Sequence, residues 1–270
     1  MQKRLAFLIA VSICALPLAA QAQRKSPLAD APAIRKRFEL RSSRLEVGAG
    51  AGTTLGQDFY HSVLIDVKLG FHVTDWLSIA AVGGFALANI DTGFKDSVVN
   101  SLDPSSTTRA PGRNEATGSM NKLSQMLGAQ LELTPFTGKY SMFGKLFAHY
   151  DFYLFAGPGA LNYTATDSSV GACPDTAAPT PQTIPITRPT PCAVTGYKIG
   201  VNTGVGIHSF INHFVALNFE LRDVVSPNNA SGRDVNGDGK IDNGDLSWGS
   251  TFIATLNVVL YLPSSPDISN

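Results

Sequence analysis

Short runs in which apolar and polar residues alternate recur along the chain from about residue 43 to residue 262. Because successive side chains of a β-strand point to opposite faces, each run predicts a strand with one apolar and one polar side. A closed barrel that spans a lipid bilayer needs an apolar outside and a polar inside. The clearest run places its apolar residues at Val63, Ile65, Val67, Leu69 and Phe71.

Eight candidate strands follow this pattern, and the connections between them differ in length. Three connections are long and rich in Ser, Thr, Pro, Asn and Gly, at 91–120, 164–194 and 226–248. Short turns at one end and long loops at the other are typical of bacterial outer-membrane barrels. The sequence therefore predicts an all-β fold, an eight-stranded antiparallel up-and-down transmembrane β-barrel with short periplasmic turns and long outer loops. The candidate strands are 43–55, 59–72, 76–90, 121–134, 146–162, 195–208, 213–225 and 249–262.

A secreted soluble β-sandwich is the competing fold, because its strands would also alternate. Small residues are mixed into the apolar faces of this chain, and the polar faces carry charges of both signs. Both features favour the barrel over a sandwich.

The N-terminus resembles a cleaved secretory signal. Lys3 and Arg4 precede an apolar stretch, and Ala20-Gln21-Ala22 is a small-x-small cleavage site. An N-terminal membrane helix is the alternative, but the apolar stretch is short for one. We expect export to the outer membrane of a Gram-negative type of cell. The predicted segments are a signal peptide at 1–22, a periplasmic N-terminal segment at 23–42, the outer-membrane barrel at 43–262 and a periplasmic C-terminal tail at 263–270.

The overall charge limits the classes of partner. The formal net charge is zero, which argues against a nucleic-acid partner. Charged residues are 16% of the chain, below the roughly 25% of a soluble domain. The partners expected are outer-membrane lipid and either a small solute or a ligand at the cell surface.

The polar faces of the candidate strands would point into the barrel. Eight strands enclose a space that side chains can nearly fill, and buried charges are costly unless they are paired. We therefore predict a closed polar network in the interior. A narrow polar channel is the alternative, and it would make the chain a small porin-like channel for small solutes. The residues predicted to form the network are Arg44, Glu46, Asp66, Lys68, Glu132, His149, Asp151, Lys198, Glu220 and Arg222.

His149 and Asp151 lie on one predicted strand face, which raises the alternative of a lipid-modifying outer-membrane enzyme. Such an enzyme needs a nucleophile near the membrane rim with its base within reach. The sequence fixes no serine in that relationship. We therefore predict no enzymatic activity and no catalytic residues, and we interpret His149 as part of the interior network.

The last long connection matches the twelve-residue calcium-loop pattern, with oxygen-bearing side chains at positions one, three, five, nine and twelve. Gly239 at position six allows the sharp turn. Position twelve is Asp instead of the EF-hand Glu, and the flanks predict strands, so we expect a structural Ca²⁺ that stiffens an exposed loop. A polar loop without metal is the alternative. The predicted ligands are Asp234, Asn236, Asp238, Lys240 through its carbonyl, Asp242 and Asp245.

Cys173 and Cys192 are the only cysteines after the predicted signal peptide, and they bracket a proline-rich stretch. In an oxidising compartment, two cysteines that close one loop predict a disulfide. Two free thiols are the alternative. The predicted disulfide and the predicted calcium loop would both order the outer face of the barrel.

Three segments resemble the bacterial outer-membrane β-barrel domain family, a group of small barrels. They are Arg37–Arg41, His72–Leu77 and Asp151–Gly157, and the resemblance covers most of residues 37–262. The resemblance implies an outer-membrane barrel and brings no catalytic residues with it. We therefore expect a non-enzymatic barrel whose ordered outer loops serve surface structure or bind a ligand or partner.

Overall fold

Eight antiparallel strands form a closed barrel in which each strand pairs with the next and the last pairs with the first. This architecture confirms the predicted eight-stranded up-and-down fold, which is also the fold implied by the family resemblance. The predicted signal peptide, most of the N-terminal segment and most of the C-terminal tail lie outside the described residues. The computed structural model describes residues 41–102, 112–142, 146–167, 192–237 and 241–264.

At most strand ends, the observed bounds agree with the predicted bounds to within a few residues. Two helices also occur, α1 at Gly93–Ser101 and α2 at Arg113–Ser119. No helix among the described residues is long and apolar enough to cross a membrane. The strands are β1 Leu45–Leu55, β2 Tyr60–His72, β3 Leu77–Asp91, β4 Asn121–Met142, β5 Leu146–Ala165, β6 Gly196–Phe210, β7 Val215–Asn228 and β8 Ser247–Leu262.

The fourth strand is much longer than predicted. It continues to Met142 and pairs with β5 as far as Leu146, so most of the predicted connection around 135–144 is strand. The pairing shifts register between Leu133 and Phe136. That irregularity accommodates Pro135, which has no N–H to donate to a sheet.

The two helices lie in the first long connection, which the sequence analysis predicted as a long outer loop. Thr92 is the N-cap of α1, and its Oγ1 accepts a hydrogen bond from the backbone N–H of Lys95. A threonine in this position satisfies an N–H that the first turn of a helix leaves without a partner. The polar composition that suggested a loop therefore includes a helix start signal.

The two faces of the barrel wall differ in chemistry. On β2, Ile65 and Leu69 face outward and are 42% and 52% exposed, whereas Asp66 and Lys68 face inward and are fully buried. A soluble protein normally has the opposite arrangement, with charged residues outside. We call the end that carries the short β2–β3 and β6–β7 turns the turn end, and the opposite end the loop end.

Candidate functional site: the charged interior of the barrel

Lys68 lies at the centre of a cluster of carboxylates. Its Nζ is 2.7 Å from Oε1 of Glu132 and 3.1 Å from Oε1 of both Glu46 and Glu220. The hydroxyl of Tyr153 lies 3.2 Å from the same nitrogen. These residues come from β1, β2, β4, β5 and β7, so the cluster reaches across the whole interior.

Arg222 extends the network from Glu220 toward the loop end. Its Nη2 lies 2.5 Å from Oε2 of Glu220. Its Nη1 donates to the side-chain oxygens of Gln130 and Asn202 at 2.7 and 2.8 Å. Hydrogen bonds to neutral amides thus engage Nη1, which the ion pair with Glu220 does not use.

A second group of contacts lies at the turn end of the same network. His208 contacts Asp151 through Nδ1 at 2.8 Å and Glu46 through Nε2 at 3.3 Å. His72 Nε2 lies 2.9 Å from Oε2 of Glu46. Arg41, which precedes β1, places Nη1 2.5 Å from Oδ2 of Asp151. These contacts join the segment before β1 to strands β1, β2, β5 and β6.

Asp66 is buried on the same face of β2 as Lys68 and contacts β8 across a glycine. Asn257 Nδ2 donates to Oδ1 of Asp66 at 2.7 Å. Gly50 lies between them, and a Cβ at Gly50 would lie 2.4 Å from Oδ1 of Asn257. A residue without a side chain is therefore required at this position of β1.

An apolar cluster fills the interior between the network and the loop end, and the sequence analysis did not predict it. A signal was present, because Val63, Leu64 and Ile65 are three consecutive apolar residues and break the alternation. Leu64 is the inward residue of these three and is fully buried. The cluster consists of Leu64, Val82, Leu123, Met126, Leu161, Tyr163, Val224 and Ile253.

Eight of the ten predicted network residues are at most 2% exposed. The other two, His149 and Lys198, are half-buried near strand ends. The Asp151 carboxylate contacts His208 of β6, whose Nδ1 lies 2.8 Å from Oδ1. The eight buried residues are Arg44, Glu46, Asp66, Lys68, Glu132, Asp151, Glu220 and Arg222.

Several network members were missing from the predicted set. Arg41 precedes the first strand, so no periodicity marks it. The others lie on strands, but they are neutral or histidine side chains, whereas the prediction emphasised charge. Their position on inward strand faces was the signal that could have identified them. These members are His72, Gln130, Tyr153, Asn202, His208, Asn218 and Asn257.

The predicted calcium loop ends in a short 3₁₀ helix at Asn243–Asp245. Asp242 is its N-cap, and the Asp242 and Asp245 side chains bond to each other's backbone N–H in a capping box. Burial raises the pKa of the Asp245 carboxyl. Hydrogen bonds from the backbone N–H groups of Asp242, Asn236 and Val235 together lower the pKa by more, so it lies below its usual value. Asp245 is therefore held as a carboxylate at the end of the loop.

The first half of the same loop is described only in part. Asp234 Oδ1 accepts a hydrogen bond from the N–H of Gly237 at 2.7 Å. Asp238 and Lys240 lie outside the described residues. Within the part of the loop that the structure describes, as in the rest of the described chain, no three His, Cys, Asp or Glu side chains come together as a metal site. The predicted Ca²⁺ site stays a prediction.

The loops pack against one another at the loop end. Cys192, Val194 and Ile241 form a buried apolar cluster with Leu246 against it. Ile241 is position eight of the predicted calcium loop, so that loop contacts the end of the proline-rich connection. Cys173 lies outside the described residues, and its disulfide with Cys192 stays a prediction.

An asparagine at the start of β4 connects these loops to the barrel. Asn121 Nδ2 donates to the carbonyl oxygen of Val194 at 2.9 Å and to Oδ1 of Asn228 at 2.8 Å. Its backbone N–H donates to the carbonyl oxygen of Ala230. One buried side chain thus fixes the ends of two long connections.

No family model and no curated protein matches the sequence. The chain is similar to the N-terminal β-barrel domain of OprF from Pseudomonas aeruginosa, with a TM-score of 0.40 and 10% identity over 82% of this chain and 98% of that one. OprG, an outer membrane protein from the same organism, gives 0.40 and 7% identity over 82% and 97%. A major outer membrane protein from Thermus thermophilus gives 0.38 and 13% identity over 81% and 99%.

Proposed function

We propose that this chain is a non-enzymatic integral outer-membrane barrel whose interior is closed and whose outer loops form an ordered surface. The observation that carries the proposal is the position of Lys68, which is fully buried among carboxylates from β1, β4 and β7. Those strands lie on different sides of the barrel, so their side chains meet across the space that a pore would need.

The outer wall supports insertion into a bilayer. Large apolar side chains are exposed on every strand, and the charges are concentrated inside. Trp76 follows the β2–β3 turn and is 55% exposed, and Trp248 near the loop end is 68% exposed. Exposed tryptophans at both ends of an apolar band are typical of the two interfaces of a membrane barrel.

The apolar cluster gives a second reason to expect closure. Leu64, Met126 and Leu161 are at most 1% exposed and lie on the loop-end side of the charged network. A conducting path for ions would have to cross both layers. Charged residues alone could line a pore, but a layer of packed leucine and methionine side chains excludes water.

The outer surface is the place where we expect ligand or partner contacts. The loops there are joined by the apolar cluster that contains Cys192 and Ile241 and by the hydrogen bonds of Asn121. A disulfide between Cys173 and Cys192 would restrain this surface further. Ordered loops lose less conformational entropy when they bind a partner than flexible loops do.

We include Ca²⁺ as a structural ion of the last loop. The described residues fit one requirement, since Asp245 at position twelve is an oriented carboxylate and Asp242 at position nine starts the exit turn. When bound, the ion would neutralise the Asp carboxylates of the loop and coordinate the Asn side-chain oxygen. It would act on loop stability and has no role in a reaction.

Planar-bilayer recording tests the closed interior. The purified protein should insert and show no steady conductance. As a matched pair, Lys68→Ala should also stay closed, because the apolar layer remains, whereas Lys68→Ala combined with Met126→Ala should produce measurable steps. Reproducible single-channel steps from the unmodified protein would overturn the proposal and favour a small-solute channel.

A further inference from the structure

The imidazole of His208 lies between two carboxylates. Nδ1 is 2.8 Å from Oδ1 of Asp151, and Nε2 is 3.3 Å from Oε1 of Glu46. A neutral imidazole has one N–H and one lone pair, so it can donate to only one of these oxygens. Its other nitrogen would then place a lone pair against a carboxylate oxygen. The geometry therefore fits a ring that donates from both nitrogens.

Both carboxylates also face other cations, which favours their ionised forms. Arg41 Nη1 lies 2.5 Å from Oδ2 of Asp151, and Lys68 Nζ lies 3.1 Å from Oε1 of Glu46. A proton moved from the ring to either carboxyl would weaken one of these ion pairs. His72 contacts the other oxygen of the same carboxylate, with 2.9 Å between its Nε2 and Oε2 of Glu46.

The charge balance of the interior agrees with this protonation state. Among the described interior residues at most 2% exposed, the carboxylates outnumber the lysines and arginines by one. An uncompensated buried charge is costly, and one additional positive charge balances the set. The carboxylates are Glu46, Asp66, Glu132, Asp151 and Glu220, and the cations are Arg41, Arg44, Lys68 and Arg222.

Other groups pack against the ring from neighbouring strands. Tyr153 on β5 stacks on it with 4.7 Å between ring centroids, and Tyr261 on β8 contacts it edge-on at 6.1 Å. The face of a tyrosine ring attracts a cation. The charged or titratable groups around His208 are Asp151 and Tyr153 of β5, Glu46 of β1 and Tyr261 of β8, with Arg41, Lys68 and His72 behind the two carboxylates.

We infer that His208 is a buried proton-binding site, whose ring stays doubly protonated at a pH where solvent-exposed histidines are neutral and thereby ties β6 to β5 and β1. This inference goes beyond the proposed function and is independent of conductance. An unfolded histidine releases its proton at about pH 6.5. At pH 8 the folded chain then holds one proton more than the unfolded chain, so its stability falls as the pH rises.

Nitrogen-15 NMR of the full-length protein in detergent micelles, with labelled histidine, measures this state directly. At pH 8 we expect both ring nitrogens of His208 to show protonated shifts, as in a free imidazolium. His208→Gln assigns the signal by its loss. If that variant does not fold, contacts between the ring protons and Tyr153 assign it in the unmodified protein.

Glu46→Gln is the second variant. It removes one carboxylate from the interior and places an amide donor or acceptor opposite Nε2, so His208 should become neutral at pH 8. Neutral shifts for His208 in the unmodified protein at pH 8 would overturn the inference. Retention of both protons in Glu46→Gln would contradict the charge-balance part of it.

Discussion

Lys68 on β2 and Glu220 on β7 meet inside the barrel, with 3.1 Å between Nζ and Oε1. Their strands are separated by β1 and β8 in the order of the sheet. The contact therefore crosses the interior and does not follow the wall. It stabilises the closed form only while the ammonium group balances the carboxylates around it.

Replacement of Lys68 by methionine tests this balance. Lys68→Met keeps a side chain of similar length but removes the ammonium group that Glu46, Glu132 and Glu220 share. Removal of one partner from a buried ion cluster costs about 3–5 kcal/mol. Urea unfolding in micelles should show a loss of that size in the free energy of unfolding. Lys122→Met, at a half-buried lysine of β4, is the control and should change it by less than about 0.5 kcal/mol.

Gly206 tests the close packing of the interior. A Cβ at this position would lie 2.2 Å from Cζ of Tyr153, the residue it pairs with on β5. Gly206→Ala must displace the ring and its hydrogen bond to Asn218, at a cost of about 1–3 kcal/mol in unfolding experiments. Gly83→Ala is the matched control, because the nearest atom to its added Cβ is 3.7 Å away. Equal stability of the two variants would contradict the packing argument.

Calcium should raise the thermal stability of the loop end if the last loop binds it. We expect the melting temperature to fall when a chelator is added, and this dependence to disappear in Asp234→Ala and Asp238→Ala. Asp96→Ala removes the same charge from exposed residue Asp96 of α1 and should leave the calcium dependence intact. A melting temperature that chelator does not alter in the unmodified, folded protein would rule out the ion.

The predicted disulfide can be tested by thiol titration. Denatured, unreduced protein should contain no reactive thiol from Cys173 or Cys192, and a reductant should release two. Closing a loop of this length stabilises by about 3 kcal/mol in the chain-entropy account. We therefore expect reductant to lower the melting temperature of the unmodified protein and not of the double Cys→Ser variant. Two reactive thiols before reduction would refute the pairing.

The barrel itself was predictable because its wall has chemically different faces. A side-chain period of two appears in the sequence whenever one face meets lipid and the other meets charge. The period weakens where both faces are apolar, as at Val63, Leu64 and Ile65, and alternation there does not indicate which residue turns inward. The apolar layer was missed for this reason.

The contacts between residues of the network were harder to predict than the list of residues that belong to it. The inward orientation of Glu46, Lys68 and Glu220 follows from the alternation of side chains along each strand. Whether these side chains contact one another depends on how distant strands are staggered. His208 and His149 lie on the same face of neighbouring strands. Alternation alone therefore does not predict which of them contacts Asp151. Only the paired register, which places His208 opposite Asp151, identifies the histidine that makes the contact.

The charged network is separated from solvent differently at the two ends of the barrel. Leu64, Met126 and Leu161 separate the charged network from the loop end. At the turn end, Arg41 contacts buried Asp151 and also donates to exposed Asp75. If the interior is closed as proposed, we expect acidity and salt to reach the charged network from the turn end and not through the apolar cluster at the loop end.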